Sequence, residues 1–325
     1  MRRFVLVLLL CAAGIGLRAQ EKDSLLVMFW NLENFFDWKD QGTGESDKDF
    51  SSYGSRSWTK SRFYSKCNSI VKSLFWVSDK YGKMPDIIGV CEVENKGVLS
   101  RLLSSTLLRK YDYEIVHFDS SDRRGIDVAL LYRRSSFNLL STSLKTPEYQ
   151  GRKINTRDML HVELKSSLSG DTIDCIVCHH PSKYGGFVQS QERRNAAMIA
   201  LSELCDSLGN KNKVVMGDFN DFPIADQFEI ISPYLINKSK VLYKAGEGTI
   251  RYKGKWELID MFLVSSTLDS ASRMSILQLP FLMTYDKSFP GYKPLRTYSG
   301  PKYLGGVSDH CPIILKILLP LRDFK

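Results

Sequence analysis

Six apolar runs along this chain begin, end or break at a carboxylate, an amide or a histidine, and that recurrence narrows the folds open to it. Val214-Val215-Met216 leads into Gly217-Asp218-Phe219-Asn220-Asp221, and Ser308-Asp309-His310 precedes Pro312-Ile313-Ile314-Leu315. Asn31 follows Leu25 to Trp30, Glu92 follows Asp86 to Val90, His179 follows Thr172 to Cys178, and Asp260 lies inside Trp256 to Val264. An apolar run that stops at such a residue reads as a buried strand delivering it to the rim of a sheet. Open α/β architectures place their ligand sites there. One Asp-x-Asn is ordinary turn chemistry. The repetition is what points to a site.

Helical periodicity appears between these strands. Phe63, Ile70, Leu74 and Val77 space a helix over 61–80, Leu99 to Leu107 space a second, and 189–208 form a third that stops near Gly209. Val128 to Tyr132 and Leu160 to Leu164 read as further strands, and Ile313 to Leu319 as the last. Several strands follow one another directly, which suggests two mixed β-sheets packed face to face with helices outside. No repeat or linker divides the chain, so residues 20–325 are expected to form one domain. Segments 41–57 and 284–304 are polar or rich in Gly, Pro and Tyr, and read as long loops.

The first 19 residues stand apart. Met1-Arg2-Arg3 is basic and Phe4 to Leu10 is apolar, the pattern of a secretory signal peptide cut after Ala19. A lipoprotein signal ending at Cys11 would have a very short apolar stretch. The expected location is therefore secreted, periplasmic or cell-surface. Loss of Arg2, Arg3 and Arg18 with the leader lowers the formal charge from +9 to +6. A basic exported chain favours polyanionic partners, though a basic surface also serves solubility. Cys175 and Cys178 have zinc-like spacing, but residues three apart on a strand face opposite sides, so buried thiols are expected.

The rim set is rich in oxygen and poor in thiol, and so suits Mg²⁺ or Mn²⁺ rather than structural zinc. Its motifs carry a resemblance. Phe29-Trp30-Asn31-Leu32-Glu33-Asn34, Gly89-Val90-Cys91-Glu92-Val93, His179-His180-Pro181-Ser182-Lys183, Gly217-Asp218-Phe219-Asn220-Asp221, Leu258-Ile259-Asp260 and Ser308-Asp309-His310 follow one another in the order seen in the endonuclease/exonuclease/phosphatase superfamily. The resemblance implies a four-layer α/β sandwich and metal-assisted in-line hydrolysis of a phosphate ester. By motif, Asn31, Glu92 and Asp309 would hold the metal. Asp218 would orient or deprotonate water, Asn220 would bind the phosphate, and Asp260 would pair with His310. His179 and His310 would act on phosphate oxygens.

Four assignments need weighing. Only one of Glu92 and Glu94 is expected to face the site, and the resemblance, in which the ligand stands directly at the strand end, selects Glu92. Glu33 is expected to be a solvated loop carboxylate. The resemblance implies one histidine, then a large residue, then Pro-Ser or Lys-Ser, so counting back from Pro181-Ser182 selects His179 and leaves His180 in the large-residue position. Asp127 begins a strand, as a cap or as a carboxylate that orients His179 from behind; His117 and His161 are expected to be structural. The favoured activity is an exported endonuclease on DNA or RNA, acting as a monomer. The alternative is a phosphodiesterase or phosphatase on a lipid head group or small phosphate ester, which shares every catalytic residue.

Overall fold

The computed structural model describes residues 24–42, 44–167, 169–183 and 187–318. The signal-peptide reading lies outside these residues. Two six-stranded sheets dominate, and their strands are numbered β1 to β12. They are β1 Ser24–Phe35, β2 Ile87–Val93, β3 Tyr113–His117, β4 Asp127–Arg133, β5 Phe137–Lys145, β6 Met159–Ser166, β7 Thr172–His179, β8 Lys213–Asp218, β9 Ile236–Asn237, β10 Asp260–Val264, β11 Ser272–Ile276 and β12 Ile313–Leu318. The first sheet runs β11-β12-β1-β2-β4-β3 and the second β9-β10-β8-β7-β6-β5. Each has one parallel pair at its centre, β1 with β2 and β7 with β8, flanked by antiparallel neighbours.

Strand alternation sorts the core into three apolar layers. Val27, Phe29, Cys91, Val128 and Leu130 of one sheet face Val162, Cys175, Val177, Val214, Met216 and Phe262 of the other. The opposite face of the first sheet, with Leu26, Met28 and Trp30, packs on helix α1, Lys60–Tyr81, and helix α2, Lys96–Ser105. The opposite face of the second, with Ile176, Cys178, Val215 and Met261, packs on helix α3, Phe187–Ser207. This is the four-layer α/β sandwich that the resemblance implies. Cys175 and Cys178 lie in different layers, and the cysteines at 67, 91, 175, 178, 205 and 311 are free thiols.

Local chemistry sets the element ends. The Thr59 and Asn95 side chains accept the backbone N–H of Arg62 and Val98 at the starts of α1 and α2. Gly82 ends α1 at φ +76. Gly89 lets the two sheets approach, since a Cβ there would fall 2.5 Å from the Met216 sulfur. Segment 284–304 is not the plain loop expected. Met283–Tyr285 pairs with Tyr292–Pro294, and Tyr298–Ser299 with Lys302–Tyr303, as two short ribbons.

Candidate active site

The rim residues gather where both parallel pairs end. Four of them continue the row of side chains that faces the other sheet. Val27-Phe29 runs on to Asn31, Cys175-Val177 to His179, and Val214-Met216 to Asp218; Asp260 begins the row Phe262-Val264. A period of two therefore aims all four at one point. Asn31 is 1% exposed, and its Nδ2 donates across the sandwich to Asp218 Oδ2 at 3.1 Å. Asp218 Oδ1 accepts the Asn220 N–H at 2.9 Å, with Asn220 held at φ +51. The Asn220 amide also donates to the His180 carbonyl at 3.0 Å.

His310 enters from the loop before β12. Its Nδ1 donates to Asp260 Oδ2 at 2.8 Å, which turns Nε2 toward Asp218 Oδ2 and Asp309 Oδ1, each 3.9 Å away. Trp30 Nε1 donates to the His310 carbonyl at 2.9 Å, and the Ser308 hydroxyl bridges the His310 N–H and the Asn31 carbonyl. Burial opposes charge on His310, but Asp260, Asp218 and Asp309 outweigh it and hold the imidazole well above its ordinary value. His179 goes the other way. Burial, then Arg157 and Arg124, push it well down and leave it neutral. Its Nε2 lies 3.7 Å from Asp218 Oδ2 and 4.0 Å from Glu92 Oε1, and its buried Nδ1 has no partner. Burial and the Asp260 charge raise Asp218 to about 7.

Glu92 reaches the site by a different route. Alternation along a strand would put Glu92 and Glu94 on one face. What separates them is a bulge, where pairing with β1 and β4 shifts and Glu92 takes φ +59. Glu92 then faces the rim and accepts the Asn34 N–H at 2.9 Å, with Arg124 3.9 Å away. Glu94 is buried and accepts the Asp37 N–H at 2.6 Å, fastening the following loop. Asp309 Oδ2 pairs with Arg296 at 2.9 Å.

Two expectations are corrected. Asp127 does not orient His179. It shares the alternation of Ala129 and Leu131, which face the helices, so its carboxylate accepts from Ser120 and lies 3.3 Å from His117 Nε2. Glu33 is not solvated. It is 5% exposed, takes Arg296 at 3.1 Å and the Thr297 N–H at 2.7 Å, and burial with the Asp309 charge raises it to about 7.

Three further residues brace the site. Lys66 is 2% exposed, and its ammonium donates to the Glu33 carbonyl and to Thr297. Arg157 is buried, paired with Asp122 at 3.0 Å, and donates to the His180 carbonyl at 2.8 Å. Arg296 ties Glu33 to Asp309. Only Lys66 left a readable signal, as a cation on the apolar face that also carries Phe63, Cys67 and Ile70.

The donor set fits a hard divalent ion. The Glu92 and Asp218 carboxylates lie within 4.0 Å of His179 Nε2, the Asn31 amide touches Asp218, and Asp309 enters the same rim beside His310, so oxygen donors converge there.

The sequence profile of the Endonuclease/Exonuclease/phosphatase family matches residues 26–318. The chain belongs to that family. Its members are metal-dependent hydrolases acting on phosphoester bonds. Solved structures share the fold at low identity. An endonuclease/exonuclease/phosphatase family protein from Bacteroides thetaiotaomicron superposes with a TM-score of 0.59 at 15% identity, over 92% of this chain and 99% of that one. A mannosyl-6-phosphatase from the same organism gives 0.57 at 15%, over 90% and 98%. TDP2 from D. rerio, complexed with a single-strand DNA product, gives 0.52 at 15%, over 90% and 98%. No curated protein matches the chain.

Proposed function

We propose that this phosphoesterase is an exported, Mg²⁺-dependent endonuclease that hydrolyses phosphodiesters of DNA or RNA. The observation that carries the chemistry is the convergence of Asn31, His179, Asp218 and Asp260 on one point between the sheets, with His310 locked onto Asp260. The basic chain, the leader-like N-terminus and a structural relative holding single-strand DNA support export and a nucleic-acid substrate.

In this reading Asn31, Glu92 and Asp309 would hold the ion. When bound, it polarises the phosphate and offsets the charge that develops on it. Asp218, with its proton affinity near neutrality, takes a proton from the attacking water. Asp260 fixes the orientation of His310 and favours its charge, and the charged Nε2–H then meets a phosphate oxygen. His179, kept neutral, contacts a second phosphate oxygen without adding charge. Asn220 supplies an amide donor whose place is set by Asp218 and the His180 carbonyl.

The fold-sharing mannosyl-6-phosphatase supports a second reading, a small phosphate ester as substrate. One panel separates the two: mature protein with Mg²⁺ against plasmid DNA, RNA, sphingomyelin and simple phosphate esters. Nicking of plasmid or cleavage of RNA is expected. Turnover confined to simple esters or sphingomyelin would overturn the nuclease assignment.

A further inference from the structure

Beside the site stand two exposed ribbons, Ile250–Tyr252 paired with Lys255–Glu257 and Met283–Tyr285 paired with Tyr292–Pro294. Their surface is unusually aromatic. Tyr252 is 59% exposed, Tyr285 53%, Phe289 42% and Tyr292 64%. Exposed rings in such a group mark an interaction surface rather than ordinary scatter. The two ribbons are fastened together. The Arg251 guanidinium donates to the Phe289 and Pro290 carbonyls, both at 2.9 Å. Gly291, at φ +135, makes room for it, since a Cβ there would fall 2.7 Å from Arg251 Nη2.

This paired surface is rooted at the active site. The first ribbon runs through Leu258-Ile259 into Asp260, and Thr249 at its base accepts the Asp260 N–H and holds the Cys311 N–H at 2.7 Å. The second runs through Leu295 into Arg296, the partner of Asp309.

We propose that the two ribbons form a stacking platform that carries single-stranded nucleic acid into the site, with bases on Tyr252 and Tyr292 and phosphates against Lys253, Lys255 and Lys287. The proposal rests on the nuclease reading above. Cations alternate with ring faces along these segments, and Lys253 Nζ sits 5.4 Å from the Tyr252 ring centre. Such an alternation matches a strand whose bases are unstacked, because each ring offers a face to a base and each lysine a charge to a phosphate. A duplex hides its base faces and gains nothing from the rings. A membrane is the poorer occupant: Lys253-Gly254 tips the first ribbon, and the tip of the second, 286–291, sets Asp286 and Lys287 beside Phe289 and Pro290, so both tips carry charge where insertion needs apolar side chains alone.

The test uses the mature protein, the Tyr252→Ala/Tyr292→Ala double variant and Lys253→Glu. Fluorescence anisotropy in EDTA measures binding of labelled oligo(dT), oligo(U) and a duplex of equal length. Sedimentation with phosphatidylserine vesicles measures membrane binding. Melting temperature and hydrolysis of bis(p-nitrophenyl) phosphate report folding and the intact centre, and both should stay at the parent level. The double variant should lose on the order of 10- to 100-fold in single-strand affinity, raising KM for single-strand cleavage more than it lowers kcat. Lys253→Glu should flatten the salt dependence of binding by roughly one phosphate contact. Equal single-strand affinity in parent and double variant would overturn the platform, as would duplex binding as tight as single-strand binding, or vesicle binding that alone depends on the tyrosines. Cleavage of nucleic acid by the double variant at the parent KM sinks the platform and spares the nuclease reading. Hydrolysis of the small ester by a parent that neither binds nor cleaves nucleic acid sinks both.

Discussion

His180→Phe should stabilise this protein increasingly as the pH falls. His180 is 1% exposed, its ring meets Phe219 edge-on with centroids 4.8 Å apart, and neither ring nitrogen has a partner. Burial, then Arg157 and Arg194, push its pKa down to about 3. The unfolded chain binds a proton at this residue near its ordinary value of about 6.5, while the fold refuses it until far lower pH. A depressed folded value means that the contribution is whole above the unfolded value and is lost as pH falls toward the folded one. From pH 8 to pH 4 the parent should lose about 3 kcal/mol through His180 alone. Phenylalanine does not titrate, so the variant escapes that loss. Near neutrality the swap should matter little, because relief of two orphaned nitrogens opposes the strain of a slightly larger ring, each worth about 1–3 kcal/mol. The assay is urea unfolding of both proteins at pH 8, 6 and 4, with coincident probes to establish two-state behaviour. Groups that titrate alike in both proteins cancel in the difference; His179 does not cancel fully, because His180 is one of the groups that lower it, after burial, Arg157, Arg124 and His310. Parallel loss of stability from pH 8 to 4 would refute the reasoning. Activity on a simple diester should stay near the parent level, since the His180 backbone carbonyl, which holds Arg157 and Asn220, is unchanged.

Other outcomes follow from the same geometry. EDTA should abolish hydrolysis and Mg²⁺ or Mn²⁺ restore it; full activity in metal-free buffer would sink the proposed mechanism. Glu92→Ala should cost far more activity than Glu94→Ala, which should instead lower stability by roughly 1–2 kcal/mol through the lost Asp37 contact, read by urea unfolding. Asp260→Asn should lower kcat on the order of 10²–10⁴-fold in steady-state assays, because the amide oxygen still accepts from Nδ1 but no longer supplies the charge that holds His310 protonated. His179→Ala should show a comparable loss in kcat/KM at saturating Mg²⁺; near-parent activity there would remove His179 from the site.

Much of this site is legible because alternation continues past the apolar runs. Val177 faces the other sheet, so His179 must too, and His180 must turn toward α3 and Phe219. The same parity places Asn31, Asp218 and Asp260, and applied to β4 it sends Asp127 away from His179 and toward His117. Glu92 escapes the rule. Its position depends on a bulge at φ +59, and nothing in Cys91-Glu92-Val93 announces that a non-glycine residue will adopt it. The edge strand β5 was invisible for a related reason: of its nine residues only Phe137 is buried, and Leu139, Leu140 and Leu144 face outward, so no period of two appears.

Of the bracing cations only Lys66 is legible, as a cation on an apolar helix face, and the partners of all three are not. Lys66, Arg157 and Arg296 come from a helix, a loop and a ribbon exit, and each acts through contacts hundreds or dozens of residues away: Lys66 with Thr297, Arg157 with Asp122 and His180, Arg296 with Glu33. No local pattern encodes such partners. The shared target of Lys66 and Arg296 shows why they exist. Glu33, Asp218, Asp260, Glu92 and Asp309 crowd one rim, and like charges held close in a poorly solvated site repel unless cations or protons offset them. Lys66 and Arg296 flank Glu33, Arg124 stands by Glu92, and charged His310 sits among Asp260, Asp218 and Asp309. Those cations let the rim hold several carboxylates together, which is the condition for gripping a divalent ion and still leaving one carboxylate near neutrality to take a proton.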